Sequence, residues 1–197
     1  MCELIRSLRC TAAVAVAAAA VSILPAGVSP SAAAAEPAAS PATTADAPQE
    51  HLRPLIEMVT ADRRGRFYTL NSDEAAKAER DNGFTRTDES AGISMFNREV
   101  DGTIPVHRLR LRDGHQAYLL ASNRDEIKRL SDPANAKRQF DDEGVVGYIY
   151  QHAQDEDTFR IVRYTKNGDW RVARENRADL IVAGFRVDGP LGHVPSS

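Results

Sequence analysis

Cysteine is almost missing: the 197-residue chain has two, Cys2 and Cys10, both within its first ten residues. Beyond Cys10 no disulfide, Cys-ligated zinc, iron–sulfur cluster or cysteine nucleophile can form. A basic excess is missing too, since 25 Lys+Arg stand against 28 Asp+Glu for a net charge of -3, so nothing points to a nucleic-acid partner. The basic residues are 21 Arg and 4 Lys, a bias that reflects a GC-rich genome more than an anion-binding surface. His51, His107, His115, His152 and His193 are scattered, with no H-E-x-x-H and no two histidines at i, i+4, so no metal site and no cofactor are expected. The G-x-S-x-G, P-loop and G-x-G-x-x-G patterns are also absent. Asp141–Glu143 and Asp155–Asp157 lack the D-x-D-x-D-G alternation of a calcium loop.

Only one long apolar run exists, Thr11 to Leu24, and its 14 residues fall short of the roughly 20 that span a bilayer. It follows Arg6 and Arg9 and precedes the small-residue tract ending at Ala33-Ala34-Ala35, which reads as a secretory signal over residues 1–35. The expected product is secreted, with no stable membrane insertion after cleavage. Loss of Arg6, Arg9 and Glu3 leaves 23 basic and 27 acidic side chains, a net charge of -4. Residues 36–50, rich in Ala, Pro, Ser and Thr, read as a flexible leader, because such a segment buries too little surface to offset its chain entropy.

Residues 51–197 read as one domain containing a loose internal repeat, with units at about 51–102, 103–157 and 158–197. Pro54 and Pro105 are 51 residues apart, and Gly114 and Gly168 are 54 apart. Each unit reads as strand, tight turn, strand, short helix and strand. His107, Leu109 and Leu111 alternate with Val106, Arg108, Arg110 and Arg112, the period of a half-buried strand. Asp113-Gly114 reads as a hairpin turn leading into Tyr118. Helix starts are expected at Asn71 with Glu74, at Ser122 with Asp125, and at Asn176 with Asp179; Gly83 and Gly184 supply left-handed stops. The expected fold is α+β: three degenerate strand-strand-helix-strand repeats closed into a compact pseudo-threefold domain, since closure leaves no sheet edge unpaired.

Gly65-Arg-Phe-Tyr-Thr69, Pro105-Val-His-Arg-Leu109, Asp113-Gly-His115 and Glu143-Gly-Val-Val-Gly-Tyr-Ile-Tyr150 resemble a family of secreted bacterial and fungal repeats of unknown function. The likeness covers most of Arg53 to Val194. It implies a secreted, non-catalytic accessory or binding domain.

Rings recur near the turns at Tyr68, Tyr118 and Trp170, and with His115 they form the candidate ligand-binding set, suited to stacking on sugar rings. Their alternative role is a shared core, which is the role expected of Phe84, Phe140 and Phe185. Arg108 and Arg163 hold corresponding strand positions, as do Glu89, Glu143 and Asp188, so structural ion pairs between units are expected. Glu57 interrupts the arginine pattern. Two partners fit these features: a cell-wall or environmental polysaccharide, or an extracellular protein gripped by the Arg108, Arg110 and Arg112 stripe. A hydrolase is a third reading, resting only on abundant carboxylates.

Overall fold

The computed structural model describes residues 48–135 and 139–196. They all lie in the second of the two units into which the chain divides, Met1–Thr43 and Thr44–Ser197. The segments read as a secretory signal and, up to residue 47, as a flexible leader fall outside the described residues. A 3-10 turn, Pro48–His51, precedes β1 (Leu52–Pro54), β2 (Ile56–Val59), β3 (Arg66–Thr69), α1 (Ser72–Asn82), β4 (Thr85–Thr87) and β5 (Ser94–Phe96). The chain continues through β6 (Thr103–Leu111), β7 (Tyr118–Ala121), α2 (Arg124–Ser131), β8 (Phe140–Tyr150), β9 (Thr158–Lys166), β10 (Asp169–Arg174), α3 (Ala178–Val182) and β11 (Arg186–Pro195).

Eight strands form one curled antiparallel sheet in the order β1-β5-β8-β11-β9-β10, with β6 on β8 and β7 on β6; β3-β2-β4 form a small second sheet. This overturns the expected α+β fold of three helix-bearing units closed with pseudo-threefold symmetry, because the structure is mostly β. The helices have 11, 8 and 5 residues and bury only Ala75 and Ala78 from α1, Leu180 from α3 and nothing from α2. The main core instead comes from strands, with Val106, Ile149, Ile161, Val172, Leu191 and Val194 packed around Tyr68 and Met95. The long strand β8 runs beside β6 and also meets β5 at Phe96↔Tyr148 and β11 at His193↔Tyr150. Stretches that read as separate units therefore share one hydrogen-bonded sheet. Short-range periodicity shows where strands lie but carries no record of which distant strands pair.

Local signals fared according to how local they are. Asn71 caps α1, accepting from the amides of Asp73 and Glu74, and Gly83 ends it at φ 69°. In α2 the cap is Asn123, which accepts from the Glu126 amide, while the neighbouring Ser122 hydroxyl donates to the Leu191 carbonyl at 2.6 Å. α3 has no side-chain cap; Asn176 sits one residue earlier at φ 65°. The Asp113-Gly114 turn is longer than a two-residue hairpin, since β6 ends at Leu111 and β7 begins at Tyr118. Burial along β6 does not alternate cleanly: Val106 and Leu109 are both buried although three positions apart. Register shifts on either side of His107, where β6 meets β8, account for this, because an extra residue in a ladder flips the face that follows it.

Candidate functional site

Two features of the fold could do chemistry or binding: charged networks where strands and helices meet, and a large cleft against β11. The networks are built around arginines that are buried, as Arg66 and Arg163 are, or half-buried, as Arg108 is. The Arg108 guanidinium donates to the Tyr68 carbonyl at 2.9 Å, to Glu74 at 2.8 Å and to Glu143 at 2.9 Å. Arg163 repeats the pattern with the Leu120 carbonyl at 2.8 Å, Glu126 at 2.7 Å and Asp188 at 2.6 Å. Burial disfavours both cations, but their carboxylate partners outweigh it and hold both pKa values above the usual arginine value. Glu74 and Glu126 went unpaired with these arginines in the sequence reading, although each follows its asparagine cap by three residues. That spacing was the available signal.

The third network is different. Arg66 and Glu57 are each 1% exposed and form an ion pair, and Arg66 also meets Asp169 at 2.6 Å and Glu89 at 2.8 Å. Glu89 further holds Arg63 at 2.6 Å and Arg171 at 2.8 Å. Burial pushes the Glu57 carboxyl up, and the neighbouring Arg66 offsets this only in part.

Of the candidate ligand-binding set, Tyr68 belongs to the core: it has 0% exposure, and its hydroxyl donates to the Trp170 carbonyl at 2.9 Å. A ring with no exposed face cannot stack on a sugar, so that expectation is corrected. Trp170 is half-buried with its ring edge-on to Phe140, centroids 5.6 Å apart. Tyr118 is half-buried and T-shaped against Phe67 at 5.1 Å. His115 is exposed, and its backbone amide donates to Asp113 at 2.9 Å. His115 and Tyr118 share a shallow cleft of about 390 Å³, which neither Tyr68 nor Trp170 lines. Phe84, Phe140 and Phe185 are all buried.

A cleft of about 820 Å³ lies where the first half of β6, the start of α2, the end of β8 and the middle of β11 meet. Its apolar walls are Ile104, Pro105, Pro190 and Leu191; His107, His152, His193, Asn123, Arg124, Asp125 and Arg160 bring polar groups to it. β11 reaches this position because its ladder with β9 shifts register at Val187/Gly189 and again at Pro190/Gly192. At Gly192 a Cβ would lie 2.6 Å from the Tyr150 carbonyl oxygen, so only glycine lets β11 press against β8 there. Several lining groups are anchored. His107 Nδ1 donates to Asp142 at 2.9 Å, which leaves its Nε2 as the free ring nitrogen, and Arg160 donates to Glu175 at 3.2 Å. His193 Nδ1 is buried with no hydrogen-bond partner among the described residues. Among the described residues no three His, Cys, Asp or Glu side chains group as they would around a metal ion, and no helix is long and apolar enough to cross a membrane.

A curled antiparallel sheet with a cleft of this kind defines a small β domain with a concave ligand-sized surface. The chain belongs to DUF5648, a domain of unknown function, whose family model matches residues 54–194. No curated protein and no solved structure matches it.

Proposed function

We propose that the chain is a secreted, non-catalytic binding module that takes a polysaccharide in the cleft between β6, α2, β8 and β11. The observation that carries this reading is the lining: proline and aliphatic walls beside convergent hydrogen-bonding groups in about 820 Å³ of concave surface. A sugar ring offers that surface what it needs, C–H faces for the walls and hydroxyls for the imidazoles, Asn123 and Asp125.

A protein-binding face on Arg108, Arg110 and Arg112 has less support. Arg108 is committed to Glu74 and Glu143, and the more exposed Arg110 and Arg112 both face Asp141 at 3.4 Å.

The test is a pull-down of the exported chain against peptidoglycan, chitin, cellulose and soluble polysaccharides, with the products assayed for new reducing ends. Binding without cleavage is expected, weakened by His152→Ala in the cleft and unchanged by His115→Ala at the hairpin end. The opposite response would place binding at the hairpins. No binding across the panel would end the polysaccharide reading.

A further inference from the structure

We infer that the ligand of this cleft carries a carboxylate beside vicinal hydroxyls, the chemistry of a uronic acid unit in an acidic polysaccharide. The inference rests on the binding reading above and names its ligand class.

Subtracting the groups that already have partners leaves a small, specific set. His107 is held by Asp142, Arg160 by Glu175, and the Asn123 side chain by the Glu126 amide. Arg124 and Asp125, adjacent at the start of α2, line the cleft with no side-chain hydrogen bond or ion pair to other described residues. The exposed His152 lines it likewise, and the Nε2 of His107 is free. The cleft thus presents one unpaired guanidinium, one unpaired carboxylate, the His152 imidazole and the free His107 Nε2, between apolar walls.

Each ligand type meets this set differently. A carboxylate matches the planar fork of Arg124 with two parallel N–H···O bonds, an arrangement that a neutral hydroxyl cannot reproduce. The first amides of α2 add a field of the same sign. Asp125 then serves as acceptor for ring hydroxyls, and His152 as a partner for another. A neutral sugar offers Arg124 only single, uncharged acceptors. A bare anion without hydroxyls faces the unshielded Asp125 with nothing to donate to it.

The experiment is calorimetric titration of the full exported chain with trigalacturonate, with the neutral galactose trisaccharide of the same linkage, and with inorganic phosphate. Trigalacturonate should bind about tenfold or more tightly than the neutral trisaccharide, the difference that one charge-assisted contact supplies. Arg124→Gln should erase that difference; Arg124 is exposed, so the variant folds. Equal affinity for the two trisaccharides overturns the inference and leaves the binding reading standing. Tight trigalacturonate binding that Arg124→Gln does not change also overturns it, because the carboxylate then sits elsewhere. Phosphate competing as well as the uronide would show a bare-anion site and overturn it too. Binding of no sugar at all overturns both.

Discussion

Arg108 and Arg163 meet the same requirement in the same way. Each guanidinium satisfies a strand carbonyl, a glutamate near a helix start and an acid on a later strand. Such pairs position elements more than they add net stability, because desolvating the charges offsets much of the attraction. Their effect therefore shows best as pH dependence. Burial raises the Glu74 carboxyl, but hydrogen bonds from Arg108 and Thr69 pull it below its ordinary value. A folded pKa below the unfolded one contributes stability above the unfolded pKa of about 4.3, lost as pH falls through the folded value. Glu74→Gln should consequently flatten the acid limb of a Tm profile followed by circular dichroism from about pH 7 to about pH 3; an unchanged limb would deny Glu74 this role. Glu57 carries the opposite sign: with its folded pKa raised by burial, its contribution is present below the unfolded value and lost as pH rises. Arg66→Ala, which strands Glu57 in the interior, should destabilise by about 3–5 kcal/mol in urea unfolding. The double variant Arg66→Met, Glu57→Met should recover most of that loss, and failure to do so would show that Asp169 and Glu89 depend on Arg66 more than Glu57 does.

Among the elements, the helices are small and their caps matter more than their burial. α2 buries no residue, so what holds its start is the Asn123 cap, the Glu126 pair with Arg163 and the neighbouring Ser122 bond to Leu191. Asn123→Ala should remove about 1 kcal/mol of stability and weaken ligand capture, because Arg124 and Asp125 are the first two residues of that helix; urea unfolding measured alongside pull-down checks both. Elements were also where sequence reading did best. The Asn71 cap and the Gly83 stop were legible because each depends on bonds within a few residues of itself. The clean alternation read in β6 failed because the register shifts beside His107 are imposed by β8, more than thirty residues away.

Across the whole domain, β8 is the common member that joins β6, β5 and β11 into one sheet. The tightest constraint on that joining is Gly192, where an added Cβ meets a backbone oxygen, which cannot swing aside as a flexible side chain can. Gly192→Ala should destabilise by about 1–3 kcal/mol and open the cleft wall at Leu191, read as a lower Tm together with weaker glycan binding. A variant with unchanged Tm would mean that β11 does not rely on this approach.

What was legible in the chain before folding is what nearby residues decide among themselves: the Asn71 cap, the Gly83 stop and the phenylalanines that must be buried. The expected ion pairs between units were not, since Arg108–Glu143 and Arg163–Asp188 each form within one unit and the pairs that cross units go to Glu74 and Glu126. The cap, the stop and the buried rings follow from local geometry and from the transfer of apolar surface out of water. Pairing between distant strands does not. Nothing near Tyr150 in sequence says that it lies beside His193, and nothing near Tyr68 says that its hydroxyl reaches Trp170. Tyr68 looked available for a ligand because an aromatic ring reads the same whether it faces solvent or core. The cleft was illegible for the same reason: Pro105, Arg124, His152 and Leu191 come together only when bulges in β11 carry it across to β8. That approach is set by packing among the long strands, so the tertiary structure alone decides it.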